Sequence, residues 1–181
     1  MKNLNCLLVL VNIVFFSCKD NDHSLDTEIN IGENNKNVIV NTLTPPISVT
    51  DEKSDSIDLN GDSIYDLIFE KTPIPLTTGF GLETKITKKD GIQIVLSIIN
   101  NYPDNLSYLD KLNPQVNWSD NIKGTLILQS YLKRDESKVI GNFVFDEIKY
   151  IGVKIKNRYG WVKIENDRFG SLIIEEYALM K

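Results

Sequence analysis

Histidine and cysteine are almost missing from this chain. Of its 181 residues one is histidine, His23, and two are cysteine, Cys6 and Cys18. All three fall in the first 23 positions. The rest of the chain therefore has no disulfide, no thiol nucleophile and no thiolate metal site. It also has no Ser-His triad and no histidine-based metal site. A second lack is clustered positive charge: the 20 Lys and Arg are scattered among 25 Asp and Glu, giving a net charge of −5. That pattern leaves no footprint for nucleic acid. A third lack is helical periodicity. No stretch reads as an amphipathic helix, and β-branched or aromatic residues mark nearly every segment.

What is present begins with an address. Met1-Lys2-Asn3 is a short positive start, Leu4 to Phe16 is apolar, and Ser17 is a small residue before Cys18. These are the three parts of a secretory signal. The apolar run is shorter than the roughly 20 residues that a bilayer span needs. Residues 1–17 are thus expected to be a signal peptide, leaving enough chain for one domain and a tether. Lys19 to Lys36 is rich in Asp, Asn and Glu, so 18–37 is predicted to be a flexible tether and 38–181 a single domain.

The site Phe15-Phe16-Ser17-Cys18 resembles a bacterial lipoprotein lipobox, with Phe15 in place of the usual Leu. The resemblance implies that Cys18 is acylated and becomes the mature N-terminus. Several acyl chains, at about 0.8 kcal/mol per buried CH₂, would then hold the protein on a membrane. A plain secreted protein with a lone cysteine is the other reading. Lys19, Asp20, Asn21 and Asp22 are similar to the Lys/Asp-rich tag that directs some lipoproteins of Bacteroidota-type bacteria to the outer cell surface. The expected location is therefore the outer membrane, lipid-anchored, on the cell surface.

The rest of the chain has a period of two. Tyr65, Leu67 and Phe69 share one face, and Ile92, Ile94, Leu96 and Ile98 form an inner row. Asp90-Gly91 is a hairpin signal that predicts pairing of Leu82–Thr87 with Ile92–Ile99. Val38 to Thr50 suits an edge strand broken by Pro45-Pro46. Asn101 to Gly124 is a long stretch without periodicity, expected to be functional or disordered. Ile148–Lys156, Tyr159–Glu165 and Leu172–Ala178 read as a closing meander with turns at Asn157-Arg158 and Asn166–Gly170. The predicted fold is all-β, an antiparallel β-sandwich or jelly-roll-like barrel of about eight to ten strands.

Chemistry concentrates in Asp58-Leu59-Asn60-Gly61-Asp62-Ser63-Ile64-Tyr65-Asp66. Oxygen-bearing side chains at every second position, then once more four residues on, suit one hard cation that takes six to eight oxygens. Asp58, Asn60, Asp62, Asp66 and the Ile64 carbonyl are the candidate calcium ligands. At an effective dielectric of about 20, carboxylates about 4–5 Å apart repel by roughly 3–4 kcal/mol, which a divalent ion would reverse. The plainer reading is an Asn-Gly turn with solvated acids. The stretch resembles the calcium loops of dockerin, thrombospondin-type and FG-GAP or VCBS-type repeats, departing at Ser63, where Gly is usual. It is not an EF-hand, because Phe69 stands where the bidentate Glu would be.

Together with Trp118, Tyr150-Ile151-Gly152-Val153 and Tyr159-Gly160-Trp161-Val162-Lys163, this loop is similar to a class of uncharacterised secreted bacterial β-proteins. That resemblance implies fold and compartment, not an activity. In the meander Val162 and Ile164 should face inward, which places Tyr159, Trp161, Lys163 and Glu165 opposite. With Trp118, Tyr159 and Trp161 are candidates for stacking a carbohydrate or anchoring a protein; the alternative is that Trp161 packs under a loop. The rival to a calcium-stabilised binding or structural module is a carbohydrate-active enzyme that uses Glu165 with Glu175 or Glu176.

Overall fold

A computed structural model of the chain describes residues 28–76, 79–120, 125–133, 141–143, 146–166 and 171–181. The expected signal 1–17, Cys18 and the tether as far as residue 27 lie outside the described residues. In chain order the strands are β1 (Ile29–Asn30), β2 (Val38–Val49), β3 (Ser54–Ile57), β4 (Leu67–Leu76), β5 (Gly79–Lys88) and β6 (Ile92–Val95). They continue with β7 (Lys111–Leu112), β8 (Trp118–Ser119), β9 (Thr125–Lys133), β10 (Ile148–Ile155), β11 (Arg158–Asn166) and β12 (Leu172–Met180). Among the described residues no helix is long and apolar enough to cross a membrane.

Three antiparallel sheets result. One has the order β2-β12-β11-β10-β6-β8, a second β3-β4-β5-β9, and a third is the ribbon β1-β7. Alternation explains the layering. Ile151, Val153, Val162, Ile164 and Ile174 of the six-stranded sheet meet Ile57, Leu67, Phe69 and Ile86 of the four-stranded sheet in one buried cluster. This is an all-β sandwich. Among the described residues the strands number twelve rather than eight to ten because β1, β7 and β8 are two-residue pieces, too short to leave a periodic trace.

In β12 the alternation changes phase. Leu172 and Ile174 face the sandwich interior, but so does Leu179. Ile174 pairs with Ile164 and Glu176 with Lys163, so Glu175 is an extra residue opposite the Lys163/Ile164 step. A one-residue bulge moves the following side chains to the opposite face, and Ala178 and Met180 point outward. β2 is the edge strand expected. The residues around Pro45-Pro46 bulge out between the Thr42–Glu176 and Ile47–Ile174 pairs.

The outward face of the six-stranded sheet is covered as well. Tyr150, Tyr159, Trp161, Ala178 and Met180 form a second buried cluster with Ile29, Ile31, Val38, Val95 and Leu112. The ribbon β1-β7 lies on this face, and Gly152 permits the close seating. A side chain there would meet Val95 Cγ2 at 2.6 Å and Leu112 Cδ2 at 2.8 Å.

Five expectations are corrected. Folded chain does not start at Val38: β1 pairs with β7, and Ile29 and Ile31 are buried, so the tether expected over 18–37 gives way by Glu28. Two isolated isoleucines were too little apolar pattern to register against their acidic surroundings. Asp90-Gly91 is a turn but not a hairpin, since β5 pairs with β4 and β9, and β6 with β10 and β8. Both edges of β5 are taken, so the chain crosses to the other sheet. The inner row stops at Leu96, because the chain turns where Ser97 N–H donates to the Tyr102 carbonyl and Asn101 N–H to the Ser97 carbonyl; Ile98 is 85% exposed. Tyr65 is likewise exposed, preceding β4 rather than lying in it. The last hairpin turns at Lys156-Asn157, with Ile155 paired to Arg158.

Candidate functional site

Residues 58–66 connect β3 to β4. Ile57 and Leu67 close the hairpin as a pair, and Asp66 N–H donates to the Ile57 carbonyl at 2.8 Å. Leu59 plugs into the main core, which fixes the loop from below. Gly61 at φ 76° and Ser63 at φ 65° are both left-handed. Ser63 adopts the conformation for which Gly is the usual residue, at a cost of about 1–2 kcal/mol.

The loop's oxygens gather its N–H groups. Asp58 Oδ1 accepts from Gly61 N–H at 2.7 Å, Asn60 N–H at 3.2 Å and Asp62 N–H at 3.3 Å, and its Oδ2 from Ser63 N–H at 2.7 Å. Asn60 Oδ1 accepts from Asp62 N–H at 2.9 Å, and Asp62 Oδ1 from Ile64 N–H at 2.9 Å. Asp66 Oδ2 accepts from Leu59 N–H at 2.9 Å and from the Asn60 amide at 3.2 Å. The four side chains named from the sequence are therefore brought together in one network. As they stand, they do not form a cage: among the described residues no three His, Cys, Asp or Glu side chains are assembled around a common metal position.

The two end carboxylates differ electrostatically. Burial pushes the Asp58 carboxyl up, but the N–H groups of Gly61, Ser63, Asp62 and Asn60 outweigh it and hold the group below its ordinary value. Asp66 is 1% exposed. Burial pushes its carboxyl above the ordinary value, the Leu59 N–H pulls it partly back, and the charges of Asp62 and Asp58 add to the rise. Lys89 lowers it only in part, so Asp66 is a buried acid whose charge is incompletely compensated. The donor set is all oxygen, hard, and acidic, which fits a hard divalent cation and no soft one.

Beside the loop runs a cleft of about 440 Å³, into which Asn60, Asp62 and Asp66 face together with Lys89, Lys156 and Arg158. The three cations were not singled out by sequence reasoning. Topology brings them there: Ile92 pairs with Ile155, which sets the turns at Asp90-Gly91 and Lys156-Asn157 side by side. Lys89 N–H then donates to the Asp66 carbonyl at 2.9 Å, tying the first turn to the loop. The turn residues were visible in sequence, but the cross-sheet pairing that joins them was not.

The aromatic candidates are not an exposed platform. Trp161 is 0% exposed, edge-on to Tyr150 with ring centroids 5.4 Å apart. Tyr159 is buried and stacks on the half-buried Trp118 at 5.4 Å, and the Trp118 indole N–H donates to the Asn113 carbonyl. Lys154 lies 5.5 Å from the Tyr159 ring and 5.9 Å from that of Trp118. The expected strand phase holds, with Val162 and Ile164 inward, but the opposite face is roofed by the stretch 101–120 and by β1. The rival catalytic pair gains nothing from its surroundings. Glu175 is ion-paired to Lys163 at 2.7 Å, and neither it, Glu165 nor Glu176 lines the cleft.

Compared with known proteins, the chain matches no family model, no curated protein and no solved structure.

Proposed function

We propose that this protein is a lipid-anchored, extracytoplasmic β-sandwich module, held to an outer membrane through Cys18 and stabilised by calcium at the Asp58–Asp66 loop. The observation that carries the calcium reading is Asp66, a carboxylate buried at the base of an acid loop with its pKa raised and, among the described residues, no cation in ion-pair contact. Asp58, Asn60, Asp62, Asp66 and the Ile64 carbonyl would hold the ion. Calcium supplies there the positive charge that the buried acid lacks, and so locks the β3–β4 connection onto Leu59. The module acts by binding, to a carbohydrate or a protein, rather than by catalysis.

Calcium titration with thermal unfolding tests this. Extracellular modules bind with a dissociation constant of about 10⁻⁴–10⁻³ M, and this loop has neither the bidentate Glu nor the usual Gly. Calcium at tenfold that constant adds about 1.4 kcal/mol. For a domain of this size that raises the melting temperature by about 3–6 °C. Asp62→Ala removes the calcium response without lowering stability in chelator, since it also relieves repulsion among the acids. No shift in millimolar calcium refutes the site. The anchor is tested separately: Cys18→Ala should release the protein from membrane fractions, and retention equal to that of the parent excludes acylation at Cys18.

A further inference from the structure

Ile98 and Ile99 are 85% and 91% exposed, the barest large apolar side chains among the described residues. They form the tip of the turn that follows β6. That turn is held from within. Ser97 N–H donates to the Tyr102 carbonyl, Asn101 N–H to the Ser97 carbonyl, Ile99 N–H to Ser97 Oγ and Tyr102 N–H to Asn100 Oδ1. Asn142 braces its flank, accepting from the Asn100 amide at 2.8 Å and donating to the Pro103 carbonyl at 2.9 Å. From Gly91 to Pro103 there is no charged residue, in a chain that is 25% charged. β6 starts at the cleft of the acid loop, which Ile92 lines, and runs away from it toward the tip. Ile148, also exposed, opens the antiparallel β10 at the same end.

We infer that the Ile98–Ile99 tip is a membrane-insertion point, seated among the lipids of a bilayer. The inference deepens the anchor reading above and rests on it for where the membrane lies. Cys18 precedes Glu28 by ten residues, a reach of at most about 36 Å. Glu28 enters the domain at the sheet edge that carries the tip. It accepts from the Asn113 amide, the Asn113 carbonyl accepts from the Trp118 indole, and Trp118 pairs with Val95 of β6. A tethered domain therefore has its barest apolar point within range of the anchored surface. Two side chains on a convex turn fall far short of the roughly 800 Å² that each partner buries in a stable protein interface. A bilayer asks for less: uncharged side chains, and backbone groups that find partners inside the turn. Tyr102, half-buried behind the tip, suits the headgroup layer.

Residues 19–181 hold every described strand and lack both the signal and Cys18, so vesicle binding by that chain owes nothing to an acyl group. Its co-sedimentation with vesicles of phosphatidylethanolamine and phosphatidylcholine, at millimolar lipid, is expected and should persist in high salt. Ile98→Ser/Ile99→Ser should weaken it at least about tenfold with the melting temperature unchanged, since both side chains stand outside the core. Ile99→Trp should bind more tightly, with its fluorescence shifted to the blue on the vesicles. No sedimentation of the parent chain, undiminished binding by the serine variant, or no blue shift overturns the inference and leaves acylation of Cys18 to its own test. Binding only to vesicles that contain phosphatidylglycerol, lost in high salt, overturns it too, because the attraction is then one of charge. Self-association that the serine variant abolishes, without vesicle binding, makes the tip a contact between copies and likewise overturns it.

Discussion

The two faces of the six-stranded sheet are both buried, but they are built from different kinds of chain. The inward face rests on a second sheet whose strands alternate regularly, and its side chains are mostly aliphatic, with Phe69 and Phe143 among them. The outward face is roofed by two-residue strands and bridges, including the Leu106–Tyr150 bridge, and its centre is aromatic: Tyr150, Tyr159 and Trp161. A regular partner sheet can be covered with small interdigitating rows. An irregular roof leaves gaps of varied depth, which large rings fill better. The outward layer also depends on chain far apart in sequence, since Ile29 pairs with Leu112.

The comparison breaks most directly by truncating one large ring in each layer. Phe69→Ala and Trp161→Ala should each cost about 3–5 kcal/mol, both rings being fully buried. Chemical denaturation measures both. If Trp161→Ala costs less than half of Phe69→Ala, the outward layer is a cover and not a core. Ile31 is the next probe, because it lies outside the domain expected from sequence yet is completely buried. Ile31→Ala should lower stability by about 2–5 kcal/mol, whereas a residue in a tether would give no change in the denaturation midpoint. Gly152→Ala is smaller and sharper. The added methyl meets Val95, Leu112 and Leu106, all on the outward side, so about 1–3 kcal/mol is lost with the inward side untouched. Hydrogen exchange should then show β1 and β7 opening before β3 and β4.

The smallest effect separates the layers by pH. Asp66 sits at a corner of the inward core, and its carboxyl binds a proton more tightly in the folded state than in the unfolded one. Acid therefore favours the native state in the window between the unfolded and the raised folded pKa, and that gain is lost as pH rises through the folded value. In chelator the melting temperature should rise slightly as pH falls from neutrality toward the ordinary carboxylate range, and Asp66→Asn should abolish the rise. Asp58 works in the opposite sense, its contribution disappearing as pH falls through its depressed value. The outward layer responds in alkali, where Tyr150, raised first by burial, must ionise.

These layers were unequally legible in the sequence. Ile151, Val153, Val162 and Ile164 alternate over whole strands, so the sandwich and the closing meander could be read from periodicity alone. The same rule placed Trp161 on the opposite face but had no means of showing the roof. Ile29, Ile31, Leu106 and Leu112 are single apolar residues among Asn, Asp and Pro, and only pairing across the chain gives them meaning. The acid loop was legible because its spacing is local: Asp58, Asn60, Asp62 and Asp66 share one hydrogen-bond network, although among the described residues no three acids surround a common point. Its cationic neighbours were not, because Lys89 and Arg158 reach it through sheet order.

Sheet order has one more consequence, for the time at which this protein is made. β12 stands between β2 and β11, with Val38 opposite Met180 and Gly160 opposite Leu179. A chain emerging from a ribosome or a translocation channel in sequence order thus presents β2 with no neighbour until almost every other strand has appeared. β11 is no native partner for it, since β12 lies between them in the finished sheet. The last strand made is thus inserted one place in from the sheet edge, and such long-range closure is slow. Until then β2 is an open edge, and its Pro45-Pro46 bulge keeps waiting copies from zipping together.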